Sequence, residues 1–99
     1  MSTYMVIEAE ISDADQFKKY ALAAAALVAE YGGEYIVRGA SHLSLEGEWP
    51  DKKKFVISKW AGERQALAFW NSPEYAKVKQ LRLGTAKVRV TLFEGVDEK

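Results

Sequence analysis

The sequence predicts an α+β domain, with one antiparallel sheet and helices packed on one of its faces. Three observations carry that prediction. Residues 3–11 and 87–94 each alternate between apolar and polar side chains, the period-two mark of half-buried strands. Residues 14–31 instead repeat their apolar groups at helical spacing, through Phe17, Tyr20, Ala21, Ala24, Leu27, Val28 and Tyr31. Between these segments lie short β-branched runs and a second helical stretch interrupted by Asn71-Ser72-Pro73-Glu74.

The elements follow in order. In the first strand Met5, Ile7, Ala9 and Ile11 share one face, and Tyr4, Val6, Glu8 and Glu10 share the other. Ser12-Asp13 supplies an N-cap, and Asp15 or Gln16 can complete a capping box for the first helix. Gly32-Gly33 ends that helix. Glu34–Arg38 reads as the second strand. Gly39 reads as a bulge or bend, with the strand resuming through His42–Glu46. Gly47–Lys54, with Trp49-Pro50-Asp51, is a charged connection, and its lysines read as a solvated loop face. Phe55–Trp60 is the third strand, close enough to the second for an antiparallel hairpin. Gly62-Glu63 opens a helix bearing Ala66, Leu67, Phe69 and Trp70. Ser72 as cap and Pro73 at the first helical position restart a further helix through Tyr75, Val78 and Leu81, which stops near Gly84. In the last strand Val88, Val90 and Leu92 face one way and Lys87, Arg89, Thr91 and Phe93 the other. Strand, helix, strand, strand, broken helix, strand is the ferredoxin-like split βαβ order.

The chain's 99 residues are expected to form one domain, residues 1–99. Lys+Arg and Asp+Glu both total 14, which argues against a nucleic-acid partner recognised through bulk positive charge. With no cysteine and one histidine, no metal centre built from Cys or several His is expected, and no cofactor. The N-terminal residues lack a basic segment followed by an apolar run, and the longest uncharged stretch, Tyr20 to Ala29, is too short to span a bilayer. A cytoplasmic protein without a membrane partner is therefore expected.

The sheet face away from the helices is the informative one. It should carry Tyr4, Val6, Glu8 and Glu10 from the first strand, and Arg89, Thr91 and Phe93 from the last. Val56, Ser58 and Trp60 are assigned to it from the third. A one-residue slip would exchange the two faces. Such a mixture is too apolar for a plain solvated surface and too charged for a dry core. It suits two sheets packed across a two-fold axis, so a homodimer is expected.

Several residues have the chemistry for a site, each with a plainer alternative. Arg38, beside Gly39, can grip a carboxylate with its bidentate fork; the alternative is a structural ion pair. Arg82 near Gly84 can do the same, or can simply favour a helix C-terminus. His42 and Glu46 are the candidates for moving a proton, against exposed strand and turn roles. Trp70 and Tyr75 flank the helix break and can line an aromatic pocket or pack the core. Glu8 and Glu10 lie roughly 7 Å apart on one strand face, close enough for paired carboxylates or for exposed charges alone. There is no phosphate-cradling glycine loop and no nucleophile elbow.

In order along the chain stand Tyr31-Gly32-Gly33, Val37-Arg38-Gly39, Leu45-Glu46-Gly47 with Trp49, Phe69-Trp70-Asn71-Ser72-Pro73-Glu74-Tyr75 and Leu81-Arg82. This series resembles the domain of unknown function 1330 family over nearly the whole chain. The resemblance implies the dimeric α+β barrel superfamily, in which ligands sit between sheet and helices. It carries over Arg38, Glu46, Trp70, Tyr75 and Arg82 as the positions that matter. Ala40 departs from an Arg-Gly-Gly pattern common in the family, and His42 lies outside that pattern. Among the superfamily's activities are metal-independent isomerases and cofactor-independent monooxygenases. The function expected here is a small-molecule enzyme of that kind, acting on a carboxylate- or carbonyl-bearing molecule. The alternative is a non-catalytic ligand-binding or structural dimer module. In the enzyme reading Arg38, Trp70, Tyr75 and Arg82 bind substrate, and Glu46 or His42 moves the proton.

Overall fold

Met5 and Ala9 are 2% and 1% exposed, so the apolar face of the first strand is the floor of the core. The computed structural model describes residues 2–38, 42–49 and 53–96. Its elements are β1 (Thr3–Ile11), α1 (Ala14–Glu30), β2 (Glu34–Arg38), β3 (Lys53–Trp60), α2 (Glu63–Trp70), α3 (Pro73–Gln80) and β4 (Ala86–Glu94). The sheet order is β2-β3-β1-β4, and every neighbouring pair is antiparallel. This is the ferredoxin-like α+β fold.

Local chemistry sets the helix limits. Asp13 caps α1 by accepting the Gln16 backbone N–H at 3.1 Å. Ser12 is occupied elsewhere, its hydroxyl donating to the Thr85 carbonyl at 3.0 Å, which ties the end of β1 to the turn before β4. α1 buries Phe17, Tyr20, Ala24 and Val28. Past its end Gly32 takes a φ of +87°, the left-handed conformation that glycine adopts at little cost. Ser72 does two jobs at the helix break: it accepts the Tyr75 N–H at 3.0 Å and donates to the Phe69 carbonyl at 2.8 Å. Pro73 follows at the first position of α3, where its missing N–H is not needed. The break thus turns Tyr75 inward, where it is 2% exposed.

Three expectations are corrected. Residues 42–46 form no strand; β2 ends at Arg38 and the 42–49 segment is irregular, with a bend at 45–47. The predicted bulge at Gly39 lies outside the described residues, while an irregularity is found earlier, between Tyr35 and Val37. The third strand begins at Lys53, and its faces are reversed from the expectation. Val56, Ser58 and Trp60 lie opposite Ile7, Met5 and Thr3, on the helix side, and Ser58 and Trp60 are both 1% exposed. Phe55, Ile57 and Lys59 pair with Glu8, Val6 and Tyr4 on the open side instead. The strand is apolar on both faces, so its own pattern could not decide the register; the cross-strand partners did.

Candidate functional site

The irregularity in β2 matters to the site. Tyr35 lies opposite Ser58 and so faces the helices. In a regular strand Val37 would share that face and Arg38 would point away. The extra residue, Ile36, reverses the alternation: Val37 pairs with Ile57 and Arg38 with Val56, on the helix side. Arg38 therefore folds back over Tyr35, with its guanidinium carbon 4.7 Å from the ring centroid, a cation–π distance.

Arg38 and Tyr35 border a cavity of about 80 Å³ between α1 and the sheet. Phe17, Tyr20, Ala21 and Ala24 line it from the helix, and Ile7, Ala9, Lys54 and Val56 from the strands. The two alanines open the space, since a larger side chain at either would fill it. Lys54 stands two residues before Val56 on the same face, so the described lining holds two cations, Arg38 and Lys54, among largely apolar and aromatic side chains. The sequence reading placed Lys54 on a solvated loop; as part of β3 it faces the cavity. Lys53, beside it, points to the opposite face.

Behind the cavity stands a group of phenols. The Tyr20 and Tyr75 hydroxyls share a hydrogen bond of 2.8 Å. Burial, with the neighbouring Tyr75 hydroxyl adding to it, pushes the Tyr20 pKa far up, so this phenol stays protonated. Tyr35 is also pushed up by burial, with Arg38 opposing the shift. Arg82 packs its guanidinium 5.5 Å from the Tyr20 ring centroid. Its Nε is buried and has no hydrogen-bond partner among the described residues.

The candidate residues therefore divide. Arg38 lines the cavity, Tyr75 touches it through Tyr20, and Arg82 flanks Tyr20. Trp70 is half-buried outside it, packed on Tyr75 at 5.1 Å between centroids and covered by Lys79 Nζ at 4.7 Å. His42 is exposed and lies 5.9 Å from the Trp49 ring, which in turn packs on Phe55 of the open sheet face. Glu46 is exposed in the same segment. Neither His42 nor Glu46 lines the cavity. Sequence reasoning missed Tyr20 and Tyr35 as site residues because aromatics at core spacing are ordinarily packing. Lys54 it missed by starting the third strand too late.

The open face carries its own ion cluster. Glu8 accepts from Arg89 Nη2 at 2.8 Å and sits 3.5 Å from Lys53 Nζ. Arg89 and, more weakly, Lys53 hold the Glu8 carboxyl below its ordinary pKa. Around them Val6, Phe55, Thr91 and Phe93 line a broad depression, with Phe93 54% exposed. Among the described residues, no three His, Asp or Glu side chains gather as a metal ion would require, and no helix is long and apolar enough to cross a membrane.

Solved structures share this fold at low identity. A protein of unknown function from Rhodopseudomonas palustris superposes with a TM-score of 0.74 at 14% identity, covering 98% of this chain and 84% of its own. A cofactor-independent oxygenase, SnoaB from Streptomyces nogalater, gives 0.72 at 14% identity over 98% of this chain and 95% of its own. A dimeric ferredoxin-like protein of unknown function from Jannaschia sp. CCS1 gives 0.73 at 12% identity over 96% and 100%. No curated protein matches the chain. Residues 2–96 match the family described as domain of unknown function (DUF1330), and the chain belongs to that family.

Proposed function

We propose that this protein is a homodimer that binds a small carboxylate-bearing molecule between α1 and the sheet and acts on it without a metal. The observation that carries the reading is the cavity's polarity. Arg38 and Lys54 bring two positive charges to an apolar hollow whose described lining includes no carboxylate. Cations beside apolar walls, with no carboxylate of their own in the described lining, make the site complementary to a carboxylate with a short apolar body. Ala21, Ala24, Ile7 and Val56 would hold that body.

The homodimer would form through the open face. A second copy suits its alternation of Phe93 and Val6 with the Glu8–Arg89 pair, because a two-fold axis sets the same mixed surface against itself. The Jannaschia protein, similar in fold, is described as dimeric. The likeness to a cofactor-independent oxygenase supports an enzymatic role, isomerase- or monooxygenase-like, although Glu46 and His42, the residues the sequence offered for moving a proton, lie outside the cavity's described lining. A second reading, binding without turnover, is favoured by one observation: no carboxylate or imidazole is among the described lining residues.

Native mass spectrometry tests the assembly and occupancy together. A dimer mass carrying an extra small molecule per subunit is expected; a monomer would sink the dimeric reading. Calorimetric titration with butanoate tests the cavity. Arg38→Ala should abolish binding while the circular dichroism spectrum stays that of the wild type. Undiminished binding in that variant would remove Arg38 from the site.

A further inference from the structure

The phenols behind the cavity have hydrogens to spare. Tyr20 and Tyr75 together hold two hydroxyl hydrogens, and the bond between them uses one. Among the described residues neither hydroxyl has another partner, although Tyr20 is 6% exposed and Tyr75 2%. Tyr35, on the cavity wall, makes no hydrogen bond among the described residues. A buried donor without an acceptor costs about 1–3 kcal/mol, so the one spare hydrogen of the buried Tyr20–Tyr75 pair is unusual in a finished core, whereas the Tyr35 hydroxyl is open to solvent. Of the polar groups in the described lining, Arg38 and Lys54 only donate, while Tyr20 and Tyr35 donate and accept.

We propose that the phenols of Tyr20 and Tyr35, with Tyr75 bonded behind Tyr20, form a hydrogen-bond-donating subsite for a second ligand oxygen, and that the cavity takes a short 2-oxo acid. This rests on the carboxylate reading above. The carboxylate meets Arg38 and Lys54, and the keto oxygen accepts from the phenols. A keto oxygen takes the free phenol hydrogen and asks for no acceptor in return, which suits a lining whose two cations only donate and whose phenols have a hydrogen to spare. The size agrees: about 80 Å³ is roughly half the ~150 Å³ of an engineered apolar cavity that holds benzene, which limits an enclosed body to a few carbons. Burial keeps the Tyr20 phenol neutral, so the donor persists across the physiological range.

The test compares three acids of one length, butanoate, 2-hydroxybutanoate and 2-oxobutanoate, by calorimetric titration of the full chain. The wild type should bind 2-oxobutanoate about tenfold more tightly than butanoate, the worth of one good hydrogen bond. In Tyr20→Phe that preference should vanish while butanoate affinity holds. Tyr35→Phe, at a half-buried position, provides the same comparison should Tyr20→Phe fail to fold. A preference that survives in the folded phenylalanine variants overturns the phenol subsite. Equal binding of butanoate and 2-oxobutanoate, or equal binding of the hydroxy and oxo acids, overturns the 2-oxo assignment and leaves the carboxylate reading standing. If none of the three acids binds the wild type, the carboxylate reading itself fails and takes this inference with it.

Discussion

Gly33 lies flat against Trp60: a Cβ built on Gly33 would stand 2.6 Å from the indole Cζ2. The same atom would come 2.8 Å from Val28 Cγ1. Trp60 is 1% exposed, with its indole N–H donating to Ser58 Oγ at 2.9 Å, so the ring cannot swing away without breaking a buried bond. The turn after α1 can approach the sheet only because this position has no side chain. Gly33→Ala should therefore destabilise the protein by about 1–3 kcal/mol through overpacking. Urea unfolding followed by tryptophan fluorescence measures it, and a loss below a few tenths would show that the turn relaxes freely.

Ser72 links the two short helices to the phenol pair. Its hydroxyl caps α3 at the Tyr75 N–H and donates back to the Phe69 carbonyl. Ser72→Ala should cost about 1–2 kcal/mol, since a cap and a buried bond go together. Thermal unfolding would show it as a lower midpoint. Ser72→Thr should recover much of that loss if capping is the cause.

Glu8 predicts the acid limb of the stability curve. Its folded pKa is depressed by Arg89 and Lys53, so the stability it adds is present above its ordinary value of 4.5 and is lost as pH falls through the folded value. Glu8→Gln should flatten the decline in stability below that pH. Denaturant titrations in steps from neutral pH downward would measure the slope. An acid limb identical to the wild type's would mean that the cluster does not persist in solution.

Tyr20 predicts the opposite limb. Its pKa is raised above the ordinary 10.0, so its contribution is whole below that pH and is lost as pH climbs above it, because the unfolded phenol ionises first. Stability should fall from about pH 10 upward, and less steeply in Tyr20→Phe than in the wild type. Phenolate absorbance should show one tyrosine titrating only as the protein unfolds. A Tyr20→Phe curve parallel to the wild type's would refute the burial argument.

Trp70 separates packing from lining. It is half-buried against Tyr75 and does not line the cavity. Trp70→Ala should cost less than the ~3–5 kcal/mol of a fully buried ring. It should also leave butanoate affinity unchanged, as the calorimetric titration would show.

Much of this molecule is determined by local sequence. The alternation of residues 3–11, the helical stripe of α1, the glycines after it and the Ser72-Pro73 restart are all short-range signals, and each sets its element through backbone chemistry within a few residues. Arg38 could be picked out the same way, as a guanidinium at the end of a strand. The faces of β3 were not legible, because Phe55 and Ile57 are as apolar as Val56 and Trp60. Only pairing with β1 chose between them. The direction of Arg38 was likewise a tertiary matter. Ile36 shifts the β2 register against β3, and that single extra residue turns Arg38 toward α1 and Lys54. The meeting of Tyr20 with Tyr75, 55 residues apart, depends on α1 and α3 packing on the same sheet. Sequence spacing can place a side chain on a face of its own element, but the company it keeps is set by contacts between elements distant in the chain.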